Sequence, residues 1–228
     1  MAAVPGPLGA APSAGAVPEL GFTVLACEAQ HWAAVPSLRF SLAIDAGGAA
    51  VRSVMLEVQV RIAATQRGYS EAEQAQLGDL FGEPHQWGDT LRSLLWTHAT
   101  LVVPPFDGAT VVDLVVPCTY DFDVAAAKYL AGVRDGEIPL DLLFSGTVFY
   151  AGASGGLQIN RISWNADASY GLPVSVWRET MDYHFPNSTW LRLDRESFER
   201  LVAFRAKGAL TSWEAVVDAL LPEGEGDA

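Results

Sequence analysis

The chain has 228 residues, half of them hydrophobic, and 27 acidic against 14 basic residues give it a net charge of −13. That length fits one large domain with a packed core. The negative field repels phosphate backbones and anionic lipid, so nucleic acid and membrane surfaces are poor partners, while basic partners and cations are favoured.

No apolar run approaches the ~18 residues of a membrane helix. The start is rich in Ala, Pro and Gly, and the first basic residue is Arg39. A secretory leader needs a basic start and an apolar block, so the expected compartment is the cytoplasm. Cys27 and Cys118 lie far apart and form no CxxC motif, which reads as two small buried residues.

In chain order, residues 1–18 carry four prolines among alanines and glycines and are expected to be disordered. A single β-rich domain is expected over 19–222, followed by a solvated acidic tail, 223–228. Alternation predicts strands over Phe22–Cys27, Leu38–Ile44 and Val54–Ile62. The second ends at the turn residues Asp45–Ala46–Gly47–Gly48, which predict a hairpin.

Ser70 and Glu73 have capping-box spacing, and Leu77 and Leu80 give the helix that follows an apolar edge. Residues 81–96 open as a loop with Gly82, Pro84 and Gly88 and carry Trp87 and Trp96. Trp87 either anchors a contact surface or folds back onto the sheet, the more frequent fate of tryptophan. Further strands are predicted over 98–105, along TVVDLVVPCTYDFDV, from Ile138 to Tyr150 and through Leu157–Arg161, with Ala125–Val133 a helical turn or a bulged strand.

Pro173 suits a first helical turn, and Val174, Trp177, Met181 and Phe185 share one helical face. Asp194 caps a helix bearing Phe198, Leu201, Val202 and Phe204. Thr211 and Glu214 have capping-box spacing and open a last one with Trp213, Val216, Val217, Leu220 and Leu221. The expected fold is α+β and mainly β: an antiparallel sheet or sandwich of seven or eight strands, with three C-terminal helices packed on it.

Motifs for chemistry are sparse. His31, His85, His98 and His184 make no HxH or HExxH pattern. Asp121 and Asp123 share one side of a strand and, with Asp113 and His98, form the alternative candidate for a cation or acid–base site. A solvated strand face is the simpler account of them. Ser145 lies in FSGT, outside any GxSxG elbow, and AGASGG lacks phosphate-loop patterns. No cofactor is expected. Coplanar exposed tryptophans would mark a carbohydrate-binding module.

The segments RGYSEAE (67–73), DLFGEP (79–84), WGDTL (87–91), VPCTYDFDVAAAKYL (116–130), GEIPLDLLFSGTVF (136–149) and LPVSVWRE (172–179) carry a resemblance. From Gly21 onward the chain resembles a family of uncharacterised actinobacterial proteins encoded beside nickel–iron hydrogenases. That resemblance implies an accessory or maturation role with a hydrogenase subunit or maturation factor as partner.

The strand Phe144–Tyr150, the turn Gly152–Gly156, Pro173, Arg178–Glu179, Pro186, Leu191, Leu193, Phe198 and Leu201 resemble the C-terminal pattern of SecB export chaperones. This implies a non-enzymatic, cytoplasmic holdase that forms homo-oligomers. The chain departs from SecB by a long insertion before the match and by the added Trp213 helix. The expected function is that of an interaction protein, with Phe81, Trp87, Trp96, Trp177, Arg178, Glu179 and Trp190 as candidate contact residues. A structural subunit of a larger redox complex and a metal-dependent enzyme are the alternatives.

Overall fold

A computed structural model describes residues 17–118, 124–188 and 192–221. Seven strands among them form one antiparallel sheet: β1 (Gly21–Ala29), β2 (Ser37–Ile62), β3 (Leu94–Val103), β4 (Phe106–Pro117), β5 (Glu137–Ala151), β6 (Leu157–Arg161) and β7 (Asp167–Pro173). Six helices accompany them: α1 (Glu71–Phe81), α2 (Trp87–Thr90), α3 (Ala125–Gly132), α4 (Val174–His184), α5 (Arg195–Lys207) and α6 (Trp213–Leu220). The N-terminal arm up to residue 16 and the 223–228 tail lie outside the described residues.

The chain is built on β2. Its first half pairs with β1 and β4, and its second half with β3 and β5. The hairpin expected at Asp45–Gly48 does not form. Gly47 and Gly48 take positive φ, Gly47 N–H donates to Asp45 Oδ1 at 2.8 Å, and the ladder to β4 skips from Asp45 to Ala50. Turn-forming chemistry is thus absorbed as a wide bulge inside one strand. The two predicted strands on either side are successive halves of β2, with different neighbours.

The sheet folds over on itself. Phe22 of β1 stacks on Phe144 of β5 with centroids 4.1 Å apart, and Phe40 of β2 meets the edge of Tyr170 of β7. Between the layers lie Leu38, Phe40, Leu42, Ile44, Leu56, Ile62, Leu114, Ile138 and Leu140, all fully buried. These are the alternate residues of each strand, as a two-residue period requires. Each such side chain contributes roughly 1.5–3 kcal/mol on burial.

Gly146 marks the point where β5 exchanges its outer neighbour, β7 over 137–143 for β6 over 147–151. Its φ is +135°, and an added Cβ would lie 2.0 Å from Met55 O. The glycine in FSGT therefore serves close backbone approach.

Helices are not confined to the C-terminal end. The Ser70–Glu73 capping box forms as its spacing predicts and opens α1. α3 resolves the ambiguous Ala125–Val133 segment as a helix, and α1 and α3 pack together at the sheet end reached by Ile62. α4 buries Val174, Trp177 and Met181 of the predicted face together with Thr180, and the fourth predicted residue, Phe185, is its half-buried C-cap. α5 and α6 belong to a second compact unit beginning at residue 190. Within it, Asp194 caps α5 as expected, whereas α6 is capped by Ser212, which accepts from Ala215 N–H, and not by Thr211; Phe198 and Trp213 pack together, and Arg205 lies over the Trp213 ring.

Candidate functional site

Several candidate contact residues are core residues. Phe81 and Trp87 are buried, and their rings meet edge-on with centroids 5.7 Å apart. The Trp87 indole N–H donates to Gly82 O at 2.9 Å, and the ring also meets Tyr69. The 82–91 segment therefore folds back and fills the space beneath α1. Trp177 is buried on α4 and Trp96 is half-buried against the core, so neither is a free surface anchor. Trp190 lies outside the described residues.

Asp113 on β4 pairs with Arg39 on β2 at 3.4 Å, and Arg39 also binds Glu28 of β1. His98 is on β3, opposite Gln59. Asp121 and Asp123 lie outside the described residues. Among the described residues no three His, Cys, Asp or Glu side chains come together as a metal site. Burial pushes the Cys118 thiol up to about 12 and raises that of Cys27 further, so both are protonated packing residues at neutral pH.

Two polar regions are well defined. In the first, buried Glu73 accepts from Arg67 Nη2, Ser70 N and Arg134 N, each at 2.9 Å. Burial alone would raise its carboxyl. The N–H groups of Arg134 and Ser70, then the Arg67 charge, outweigh that and hold it below the usual carboxylate range. Beside it, Tyr69 donates to Ala64 O at 2.6 Å and accepts from Tyr129 at 2.8 Å. A shallow cleft runs past Arg67, Glu137 and Tyr170. The Arg67 guanidinium at its base is already engaged by Glu73 and Glu137 O.

The second region is the β1–β2 loop, residues 30–36, which presents Trp32 at 94 % exposure and Val35 at 52 %. The loop is tied down on both sides of the indole. His31 Nε2 lies 3.2 Å from Glu179 Oε1, and its ring meets the Tyr183 edge. The His184 ring nitrogens lie 2.9 Å from Thr180 O and 3.2 Å from Ala33 O. Ser37 Oγ donates to Val35 O, and Cys118 N–H donates to Pro36 O. Of the candidate residues, Glu179 is thus at this loop. Arg178 points elsewhere, donating to Val133 O at 3.0 Å.

Trp32 escaped the sequence reading. Its signal was a tryptophan in a short Ala/Pro/Ser segment between two strands, where no alternation gives it an inward face. Trp164, in the β6–β7 loop, is 96 % exposed. It is near Phe144, whose N–H binds Ala166 O and whose ring stacks on Phe22 at the start of β1. Trp32 follows the other end of that nine-residue strand.

A family model described as a family of unknown function (DUF6084) matches residues 17–228. No curated protein sequence matches. Among solved structures, β-glucosidase from Kluyveromyces marxianus aligns over 68 % of this chain and 15 % of its own, at 10 % identity and a TM-score of 0.24. β-Glucosidase 3B from Thermotoga neapolitana aligns over 68 % and 17 %, at 10 % identity and a TM-score of 0.25. The aligned region is thus under a fifth of either glucosidase. No helix among the described residues is long and apolar enough to cross a membrane.

Proposed function

The chain belongs to this family of unknown function, and we propose that it is a non-catalytic accessory protein that binds a protein partner through the Trp32 loop. The carrying observation is a tryptophan almost wholly in solvent, on a loop fixed from α4 by His31–Glu179 and by the His184 contact to Ala33 O. Binding energy at interfaces concentrates in few residues, tryptophan prominent among them. A loop ordered before binding avoids part of the entropy cost of association. The net charge of −13 suits a basic partner.

The finer forms of this proposal rest on the sequence resemblances. The partner is a nickel–iron hydrogenase subunit or maturation factor, or the chain holds an unfolded client as SecB does. The test is capture from the native host with the wild-type chain and with Trp32→Ala, read by mass spectrometry. A polypeptide retained by the wild type and lost with Trp32→Ala supports the reading. Equal retention by both, or none by either together with no suppression of aggregation of a denatured client, overturns it.

A further inference from the structure

We propose that the outer edge of β3, which pairs with no strand among the described residues, is a pairing surface for a second copy of this chain, joined antiparallel across a two-fold axis. Exposed strand edges carry unpaired N–H and C=O groups, and folds protect them with charge, proline, glycine, bulges, short length or cover. The other outer strands carry such protection. β1 is bulged at Val24–Ala26 and lies beside β7 and α4. β4 has Asp107, Gly108, Asp113 and Pro117, β6 is five residues long and bears Arg161, and β7 has Asp167, Gly171 and Pro173.

β3 reads LLWTHATLVV, ten residues without Asp, Glu, Lys, Arg, Gly or Pro. Its one irregularity is at Trp96, leaving a regular run from Thr97 to Val103. α3 stands at the other end. Tyr129 bonds Tyr69, which bonds Ala64, just past Ile62, the partner of Leu94.

The inward row of β3 is also incompletely covered. Leu56, Val58 and Val60 on β2 are 0–1 % exposed, whereas their partners Leu101, Ala99 and Thr97 remain half-exposed. One more strand alongside would complete that row and satisfy the backbone. A second β3 fits this need. An antiparallel strand presents to its own copy the groups that copy lacks, and two-fold pairing closes the assembly. Charge selects the same strand. Two chains of net −13 repel one another, and their least costly approach is through a ten-residue edge that carries no formal charge.

The experiment is sedimentation velocity of the full chain over a wide concentration range, with amide hydrogen exchange of β3 followed in parallel. The expected result is a reversible doubling of mass, with exchange over Thr97–Val103 slowing as the dimer forms. Ala99→Lys places a charge in the inward row and should abolish the dimer. Val111→Lys, at an exposed site on β4, tests for a general charge effect and should leave the dimer intact. Circular dichroism reports whether each variant folds. One chain mass at every concentration overturns the proposal. So does a dimer that forms without slowing exchange in β3, or one that folded Ala99→Lys leaves unchanged.

Discussion

The Glu73 corner and the Trp32 loop are both held by side-chain contacts across elements, yet they end in opposite places. At the corner a carboxylate, a guanidinium and two phenols are drawn inside and every contact is spent on closing the structure. At the loop two histidines and a glutamate hold the backbone, and the indole is left in solvent. The difference lies in which groups are desolvated. A buried ion pair is costly to break from one side because its partner is stranded, whereas an exposed pair is worth little. The corner should therefore answer to mutation in stability, and the loop in binding.

The largest expected effect is at Glu73. Glu73→Gln removes the charge facing Arg67 and one of the two oxygens that each accept a backbone N–H, and should cost about 3 kcal/mol, measured by urea unfolding. Acid sharpens the same point. Because the folded carboxyl is held low, its contribution is fully present above the unfolded value of about 4.3. It disappears as pH falls through the lowered folded value. Wild type should lose stability over that window, and Glu73→Gln should lose less.

Tyr129→Phe deletes the hydroxyl that donates to Tyr69 and should cost about 1 kcal/mol in the same measurement. At the loop, Glu179→Gln should change stability by no more than a few tenths of a kcal/mol, while amide exchange over residues 30–36 quickens. Trp32→Ala should be smallest of all in stability, within about 0.5 kcal/mol of wild type, although it abolishes partner capture. A Trp32→Ala variant as unstable as Glu73→Gln would erase the distinction between the two regions.

Much of the fold was legible because alternation survives wherever a strand has one buried face. Leu38–Ile44, Val54–Ile62 and Ile138–Tyr150 follow it closely. The capping box at Ser70–Glu73 and the Val174–Trp177–Met181 face were equally readable, since both are local. The Asp45–Gly48 turn misled because the same residues suit a bulge, and only β4, distant in sequence, decides between them. β7 went unseen: Ala168, Tyr170 and Leu172 alternate, but over only seven residues broken by Gly171. The candidate contact residues were the least legible. Aromatic content cannot tell Trp87, turned inward beside Tyr69 and Phe81, from Trp32, turned outward.

The length of β2 also bears on how the chain reaches its native state. β2 is paired with four of the other six strands, so neither layer can be completed without it. β1 is its neighbour in sequence, but Ile62, which pairs on one edge with Leu94 of β3, must wait for Leu140 before its other edge is paired. Pairings of such long range close large loops before they yield any burial, which slows folding. During synthesis the second half of β2 is therefore exposed as an apolar strand with one side unpaired until β5 emerges. That interval, more than the finished surface, is when this chain itself is most open to aggregation.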